Sequence, residues 1–360
     1  MRKKLLAGAM AMVMAVGMLV GCGSGSDGDK SGDSDTMKFE IVSKGFQSTY
    51  WQAVYKGAKA KAKELGVEIN MVGPNSESDV ADQVQMLNSA INAAPPAIGF
   101  ASLDTSACLE AIQTAMDAGI PIIGFDSGVP DAPDGAVYAN AATDNYAAGG
   151  VAAEGMYKGI KDKLGNGKVR IGEVNQDSTS ESITQRGLGF IDKMIELLKK
   201  DGYKVCVIGN DLYVNDSKGA DAKEADADVI IEVAVPAETT TTACQQVAEP
   251  ILTKSDTIAV FGSNQVSAEG IVNANETLKV CGPDGIVAVG FDSGSVIKAA
   301  VTDQTLYGAV TQAPVAIGEK MVELLYKAAN GEEVKDVDTG CQWYNYENIT
   351  DDEIAQNLYD

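Results

Sequence analysis

No histidine occurs anywhere in the 360 residues. Its absence removes histidine-based nucleophile triads, imidazole metal sites and the side chain most often used as a general base near neutral pH. Basic residues are scarce beside acidic ones: 28 Lys and Arg face 51 Asp and Glu, for a net charge of −23. A chain this acidic repels nucleic acid and anionic lipid surfaces, so no nucleic-acid partner is expected. Cysteine is sparse, six in all, with no CxxC or similar ligand spacing, so no metal site is expected and no cofactor is implied. The one formal match to a dinucleotide fingerprint, from Gly23 to Gly28, has no strand before it and no helix after it, and is set aside. What remains is a chain long enough for about two domains, with 45 % apolar residues to fill their cores.

The pentapeptide Gly-Phe-Asp-Ser-Gly is present twice, at 124–128 and 290–294. Each copy closes a run of β-formers, Ile120-Pro121-Ile122-Ile123 and Ile286-Val287-Ala288-Val289. Each is preceded by another strand-like run and a helical stretch, 97–102 then 105–118 and 258–263 then 266–278. A β-α-β unit ending in the same acidic turn thus recurs in both halves, the pattern of two similar parallel-sheet α/β lobes. Ligands of open α/β sheets sit outside the carboxyl ends of the strands. Asp126 and Asp292 are therefore expected to face one cleft from opposite lobes. Asp-Ser-Gly is also ordinary turn chemistry; the repeated flanking context is what favours a site.

The start of the chain carries a second signal. Arg2-Lys3-Lys4 precedes an apolar stretch from Leu5 to Val20, followed by Gly21-Cys22 and polar sequence. This reads as a secretory leader over 1–21, too short for a membrane span. Residues 23–36, rich in Gly, Ser and Asp, read as a flexible acidic tether. Five further cysteines, Cys108, Cys206, Cys244, Cys281 and Cys341, cannot all pair within one chain. Cys108 and Cys244 fall in expected helices, as small buried hydrophobes.

From Phe39 onward short apolar runs alternate with amphipathic stretches. Strands are expected at 39–42, 67–72, 97–101, 120–125 and 137–139, then at 169–174, 205–208, 229–233, 257–261, 286–291 and 306–310. Helices are expected at 51–65, 80–92, 107–118, 146–164, 183–199, 241–252, 266–278 and 316–329. Such alternation implies right-handed crossovers and parallel sheets. Residues 210–228 lack an apolar period and read as a surface insertion with a short helix at 218–225.

Candidate site residues cluster where these strands end. After the first strand come Lys44, Ser48, Tyr50 and Trp51; polar groups beside two aromatics suit a sugar-like ligand, rings against its C–H face and hydroxyls or amides on its rim. Adjacent helical side chains point about 100° apart, so one of the two rings is free to serve the core instead. Arg186 opens a helix after the 169–174 strand, and its five donors can hold two ligand oxygens at once; an ordinary surface salt bridge fits its spacing equally well. Asn264 and Gln312 follow the 257–261 and 306–310 strands, and Asp144-Asn145 follows the 137–139 strand.

With these motifs in place, the chain from Lys38 to Asp360 resembles the substrate-binding lipoproteins of ABC transporters, of the ribose/galactose-binding type with periplasmic-binding-protein-like fold I. The order matches throughout: Tyr50-Trp51, Asp126, Thr143-Asp144-Asn145, Arg186-Gly187-Leu188-Gly189-Phe190, Asn264, Gly290-Phe291-Asp292 and Gln312. The resemblance implies two Rossmann-like lobes joined by a three-segment hinge with crossings near Ala142, Gln312 and Gly340. One lobe would hold 38–142 and 313–339, the other 143–312 and 340–360, with the lipidated cysteine and linker at 22–37. It implies that Cys22, in a lipobox, is acylated and holds the mature protein on the extracytoplasmic face of a bacterial membrane. It also implies an ABC permease as partner, with a chemoreceptor or sensor kinase as a further one. The implied ligand contacts are Lys44, Ser48, Tyr50, Trp51, Asp126, Ser127, Asn145, Arg186, Asn264, Asp292 and Gln312. Ribose binders carry arginine where this chain has Ser127, and Asn-Pro-Phe-Phe where it has Ser48-Thr49-Tyr50-Trp51. Lys44 is instead similar to a lysine of autoinducer-2 receptors of the same superfamily.

The expected function is therefore capture of a small neutral polyhydroxylated ligand for import, with no bond broken. A signal-molecule receptor of the same fold is the alternative. An enzyme using Asp126 and Asp292 as an acid/base pair is the reading from a different class. The ligand-sensing core of a DNA-binding repressor shares the fold, but would begin with a basic helix-turn-helix instead of a lipobox and an acidic tether.

Overall fold

The computed structural model describes residues 36–360. The leader, Cys22 and the tether up to residue 35 lie outside the described residues.

The first half begins with β1 (Lys38–Val42), α1 (Thr49–Leu65), β2 (Glu68–Val72), α2 (Val80–Asn92), β3 (Ile98–Phe100), α3 (Leu109–Asp117), β4 (Ile122–Phe125) and β5 (Val137–Ala142). The chain then builds a second sheet from α4 (Asn145–Ile160), β6 (Val169–Val174), α5 (Glu181–Lys200), β7 (Val205–Gly209), α6 (Asp211–Asp216), β8 (Val229–Ala234), α7 (Thr241–Leu252), β9 (Thr257–Gly262), α8 (Gln265–Leu278), β10 (Val287–Phe291), α9 (Ser295–Thr302) and β11 (Gly308–Gln312). It returns to the first half with α10 (Pro314–Ala329) and β12 (Val337–Asp338), and ends in β13 (Cys341–Tyr344) and α11 (Asp352–Ala355). One sheet has six strands in the order β12-β5-β4-β3-β1-β2; the other has seven, in the order β13-β11-β10-β9-β6-β8-β7. All neighbours run parallel except β13, which lies antiparallel to β11. Among the described residues no helix is long and apolar enough to cross a membrane.

Helices pack on these sheets, so the central strands are buried along their whole length, whereas the edge strand β2 and the outer β5 keep exposed residues. Every residue of β4, β6, β10 and β11 is buried. Helix pairs seal each sheet at very short range. A Cβ on Gly149 would stand 2.0 Å from the Arg186 carbonyl oxygen, and one on Gly189 2.0 Å from that of Tyr146. Only glycine lets α4 and α5 meet this closely, and that packing fixes Arg186. Gly57 and Gly318 do the same for α1 and α10.

The structure departs from the sequence reading in several places. The helix expected at 218–225 is absent; α6 lies earlier, at Asp211–Asp216. The Asn210 side chain caps it by accepting from the Leu212 N–H, and Tyr213, fully buried, anchors it. Gly219 then takes φ +91°, a left-handed conformation that ends any helix, while Asp221 and Ala222 donate to the Val205 carbonyl at the edge of the sheet. The segment is thus pinned to the sheet by a buried tyrosine. The reading also lacked α9, β12, β13 and α11. The helix expected at 146–164 stops at Ile160 and continues as a 3-10 turn, Lys161–Lys163. Cys108 and Cys244 are buried as expected, and the five cysteines of the described chain are free.

Candidate ligand-binding site

Asp126 and Asp292 end β4 and β10 in the same way. Each takes a left-handed backbone, φ 59° and 70°, a strained state for a residue with a Cβ that aspartate tolerates better than most and that collects at functional sites. Each backbone N–H donates to the neighbouring strand, Asp126 to the Ala141 carbonyl (3.0 Å) and Asp292 to that of Val310 (2.7 Å). The two carboxylates come from opposite sheets to one small cavity of about 40 Å³. Nine of the eleven expected residues line it: Lys44, Ser48, Tyr50, Trp51, Asp126, Arg186, Asn264, Asp292 and Gln312.

Ser127 and Asn145 lie behind that wall. Ser127 Oγ accepts from the Ser182 N–H (3.2 Å) on the facing half. Asn145 Oδ1 accepts from Arg186 Nη2 (2.7 Å) and Nε (3.3 Å). Arg186 is thereby aimed: its Nη1 donates to the Ser263 carbonyl (2.7 Å), its guanidinium lies 3.7 Å from the Phe291 ring centre, and Nη1 stands 3.9 Å from Asp292. With 2 % of its surface exposed, it is a desolvated cation and no surface salt bridge.

Tyr50 donates its hydroxyl to Asp126, and Gln312 donates to Asp292 (2.7 Å). Gln312 Oε1 is buried with no partner, an acceptor available to a ligand hydroxyl; leaving such a group unbonded costs about 1–3 kcal/mol. Ser48 caps α1, its hydroxyl accepting from the Trp51 N–H. Asn264 caps α8 in a capping box with Ser267, and its amide donates to Gln176 (2.6 Å). Lys44 Nζ donates across to Ser180 and Ser182, each at 3.3 Å. Tyr50 and Trp51 both reach the cavity despite their divergent directions, ring centres 5.1 Å apart and edge to face.

Burial raises the pKa of both aspartates above the ordinary carboxylate value. Lys44, the Tyr50 bond and Arg186 oppose the shift at Asp126; Arg186, Gln312 and the Gln265 N–H oppose it at Asp292. The Tyr50 phenol is pushed well above its ordinary value, first by burial and then by Asp126 and Asp292.

Sequence reading missed Glu77, Gln176, Ser182 and Gln265. Glu77 is a third carboxylate on the wall, accepting from Trp51 Nε1 (2.8 Å) and from Gln176 Nε2 (3.0 Å) on the facing half. A signal was available: Glu77 follows β2 and Gln176 follows β6, at the carboxyl ends where ligands of such sheets sit.

Two α/β halves whose strand ends converge on a buried polar cavity define a two-lobed solute-binding protein. Residues 39–333 match the periplasmic binding protein domain family; the chain belongs to it. A solved structure from Brachyspira murdochii, described as an ABC transporter, LacI family transcriptional regulator, is 34 % identical, covers 91 % of this chain and 99 % of its own, and superposes with TM-score 0.75. An ABC transporter solute-binding protein of Agrobacterium vitis, solved with bound D-fucose, is 28 % identical over 89 % of this chain and 100 % of its own, with TM-score 0.73. The ribose import binding protein of Bacillus subtilis is 24 % identical over 79 % of each chain.

Proposed function

We propose that this protein captures a small neutral monosaccharide-like ligand between its two halves and presents it to an ABC importer, without catalysis. The observation that carries this reading is the pair Asp126 and Asp292, equivalent strand-end carboxylates from opposite sheets on one cavity wall. Carboxylates accept hydroxyl protons in short, strong hydrogen bonds. Arg186 and Lys44 supply donors, Gln312 Oε1 a free acceptor, and Tyr50 and Trp51 apolar faces. The relatives named for ribose import and solved with D-fucose support a sugar as ligand. The enzyme reading finds less support, because each aspartate already accepts from neighbouring side chains, Tyr50 at one and Gln312 at the other.

The halves are the two lobes, 38–142 with 313–339 and 143–312 with 340–360, hinged near residues 142, 312 and 340. The six- and seven-stranded sheets divide along those bounds. A cavity far smaller than the roughly 300 Å³ and more usual for a small-molecule site supports reading this arrangement as the one with the lobes together. A ligand therefore enters through hinge opening and replaces bonds such as Tyr50 to Asp126. Cys22 acylation would anchor the chain on the extracytoplasmic face of the membrane. A signal-molecule receptor of the autoinducer-2 type is the second reading, favoured by Lys44 on the cavity wall, and a chemoreceptor or sensor kinase is a further partner under either.

Calorimetric titration with D-ribose, D-fucose, other neutral pentoses and hexoses, and autoinducer-2 tests this reading. Saturable binding of one neutral sugar, one site per chain, is expected. Binding of sugar phosphates alone would overturn it, since three wall carboxylates repel an anion and no glycine-rich phosphate cradle is present in the wall.

A further inference from the structure

Residues beyond α11 run back to the second aspartate turn. The Tyr359 N–H donates to Ser293 Oγ (2.9 Å), and the Gly294 N–H donates to the Tyr359 carbonyl (3.0 Å). Its phenol folds back over the same turn: the oxygen accepts from the Ser293 N–H (3.3 Å), and the hydroxyl donates to Gln265 Oε1 (3.4 Å). Gln265 in turn donates its backbone N–H to Asp292 Oδ2 (3.1 Å). The segment is rooted in the seven-stranded half, with Ile354 in its core and the Asn357 carbonyl accepting from Thr311. Yet the Tyr359 ring packs on the other half, edge-on to Tyr50 with centres 6.0 Å apart. Tyr50 is the residue that bonds Asp126. One side chain outside the cavity wall therefore supports both strand-end aspartates, Asp292 through its turn and Gln265, and Asp126 through Tyr50.

We propose that Tyr359 is a positioning residue of the cleft, setting both aspartates without touching the ligand. This rests on the cleft being the binding site, and the test separates the two ideas. Tyr359→Ala and Tyr359→Phe are compared with wild type in the full chain. Without ligand, amide hydrogen exchange should quicken tenfold or more in Tyr359→Ala at Ser293 and Gly294, and also at Gln265 and at Trp51 and Gln52, beside Tyr50. Quickening confined to 293–294 overturns the proposal, because Tyr359 would then hold only its own turn. With D-ribose or D-fucose, Tyr359→Ala should weaken binding at least tenfold. Tyr359→Phe, which keeps the ring, should weaken it only a few-fold with an unchanged thermal midpoint. In a Tyr50→Phe background the Tyr359→Ala penalty should shrink, since part of it acts through Tyr50; full additivity overturns the route to Asp126. A wild type that binds neither these sugars nor other neutral ones contradicts the proposed function, and the exchange measurement then decides the positioning role by itself.

Discussion

At residues 126 and 292 the chain makes the same turn, with the same five residues, the same left-handed aspartate and the same donation to the adjoining strand. The partners of the two turns differ. In the first, Ser127 Oγ accepts from the Ser182 N–H and the Gly128 N–H donates to Glu181, both at the start of α5 on the facing half. In the second, Ser293 and Gly294 bond the backbone of Tyr359 within their own half. One turn thus draws partners from the facing half and the other only from its own, so under the proposed hinge opening the first would lose bonds that the second keeps. Under the proposed function Asp292, braced further by Gln312 and by Arg186, would be a preformed ligand acceptor. Asp126 would reach its final setting only on closure. The duplication supplies two similar arms, and the non-duplicated segments decide which arm is fixed.

The largest expected effect lies at the aspartates themselves. A hydrogen bond from a ligand to a buried charge is worth about 1.5–3 kcal/mol, roughly ten- to 150-fold in affinity. Asp292→Asn and Asp126→Asn should each weaken sugar binding at least tenfold, with the greater loss at the preformed Asp292; calorimetry of both variants decides the order. Asparagine retains the size and tolerates the left-handed backbone. Neither variant should be less stable without ligand. Both aspartates have folded pKa values raised by burial, so their stabilising protonated forms are present below the unfolded value and are lost as pH rises through the folded one. At neutral pH each charge therefore opposes folding, and removing it should leave the thermal midpoint unchanged or higher. By the same shift, sugar affinity should begin to fall at a pH above the ordinary carboxylate value when wild type is titrated downward. A profile flat down to the ordinary value would mean that the aspartates do not bind as anions.

The last glycines of the two pentapeptides give the next contrast. Gly294 sits at φ +108°, where a side chain is strained, and a Cβ there would stand 2.8 Å from Gln265 Nε2. Gly128 has no such backbone, and its nearest neighbour would be Glu181 Oε2 at 3.2 Å. Gly294→Ala should cost about 1–3 kcal/mol of stability and Gly128→Ala less, measured by denaturant unfolding. Equal costs would mean that the two turns are equivalent after all.

How far this contrast could be read in advance follows from what carries it. The repeat, the parallel alternation and nine residues of the cavity wall were legible because strand periodicity and strand-end position are local properties. Glu77 and Gln176 were legible in principle by the same rule, yet neither sits in a repeated motif. Ser127 and Asn145, expected on the wall, lie behind it, because local sequence does not encode which neighbour takes up a side chain's bonding capacity, here Ser182 and Arg186. The segment 210–228 lies largely at the surface as expected, but its helix falls earlier than 218–225 for a similar reason: a single tyrosine bonded to the Asp177 carbonyl (2.9 Å) outweighs a weak helical pattern. Tyr359 left no local signal, because the role proposed for it depends on a contact with Tyr50, 309 positions away along the chain, and a contact of that kind is set by topology alone.

The smallest effect is the most discriminating. Ser127→Ala and Ser293→Ala remove the same hydroxyl from the two copies. In the first, the lost partner is the Ser182 N–H across the cleft, a bond absent when the halves are apart. A neutral hydrogen bond contributes about 0.5–1.5 kcal/mol, so ligand dissociation should quicken between about two- and tenfold, with association and thermal stability near wild type. In the second, the lost bonds join Ser293 to Tyr359 inside one half and exist in both states of the hinge. That loss should therefore appear as a lower thermal midpoint of the unliganded protein and only secondarily in ligand kinetics. Stopped-flow dissociation and thermal melts on the same two variants read both quantities. If Ser127→Ala lowers stability while dissociation stays unchanged, the first turn is not a closure contact, and the division between a fixed and a closing arm fails.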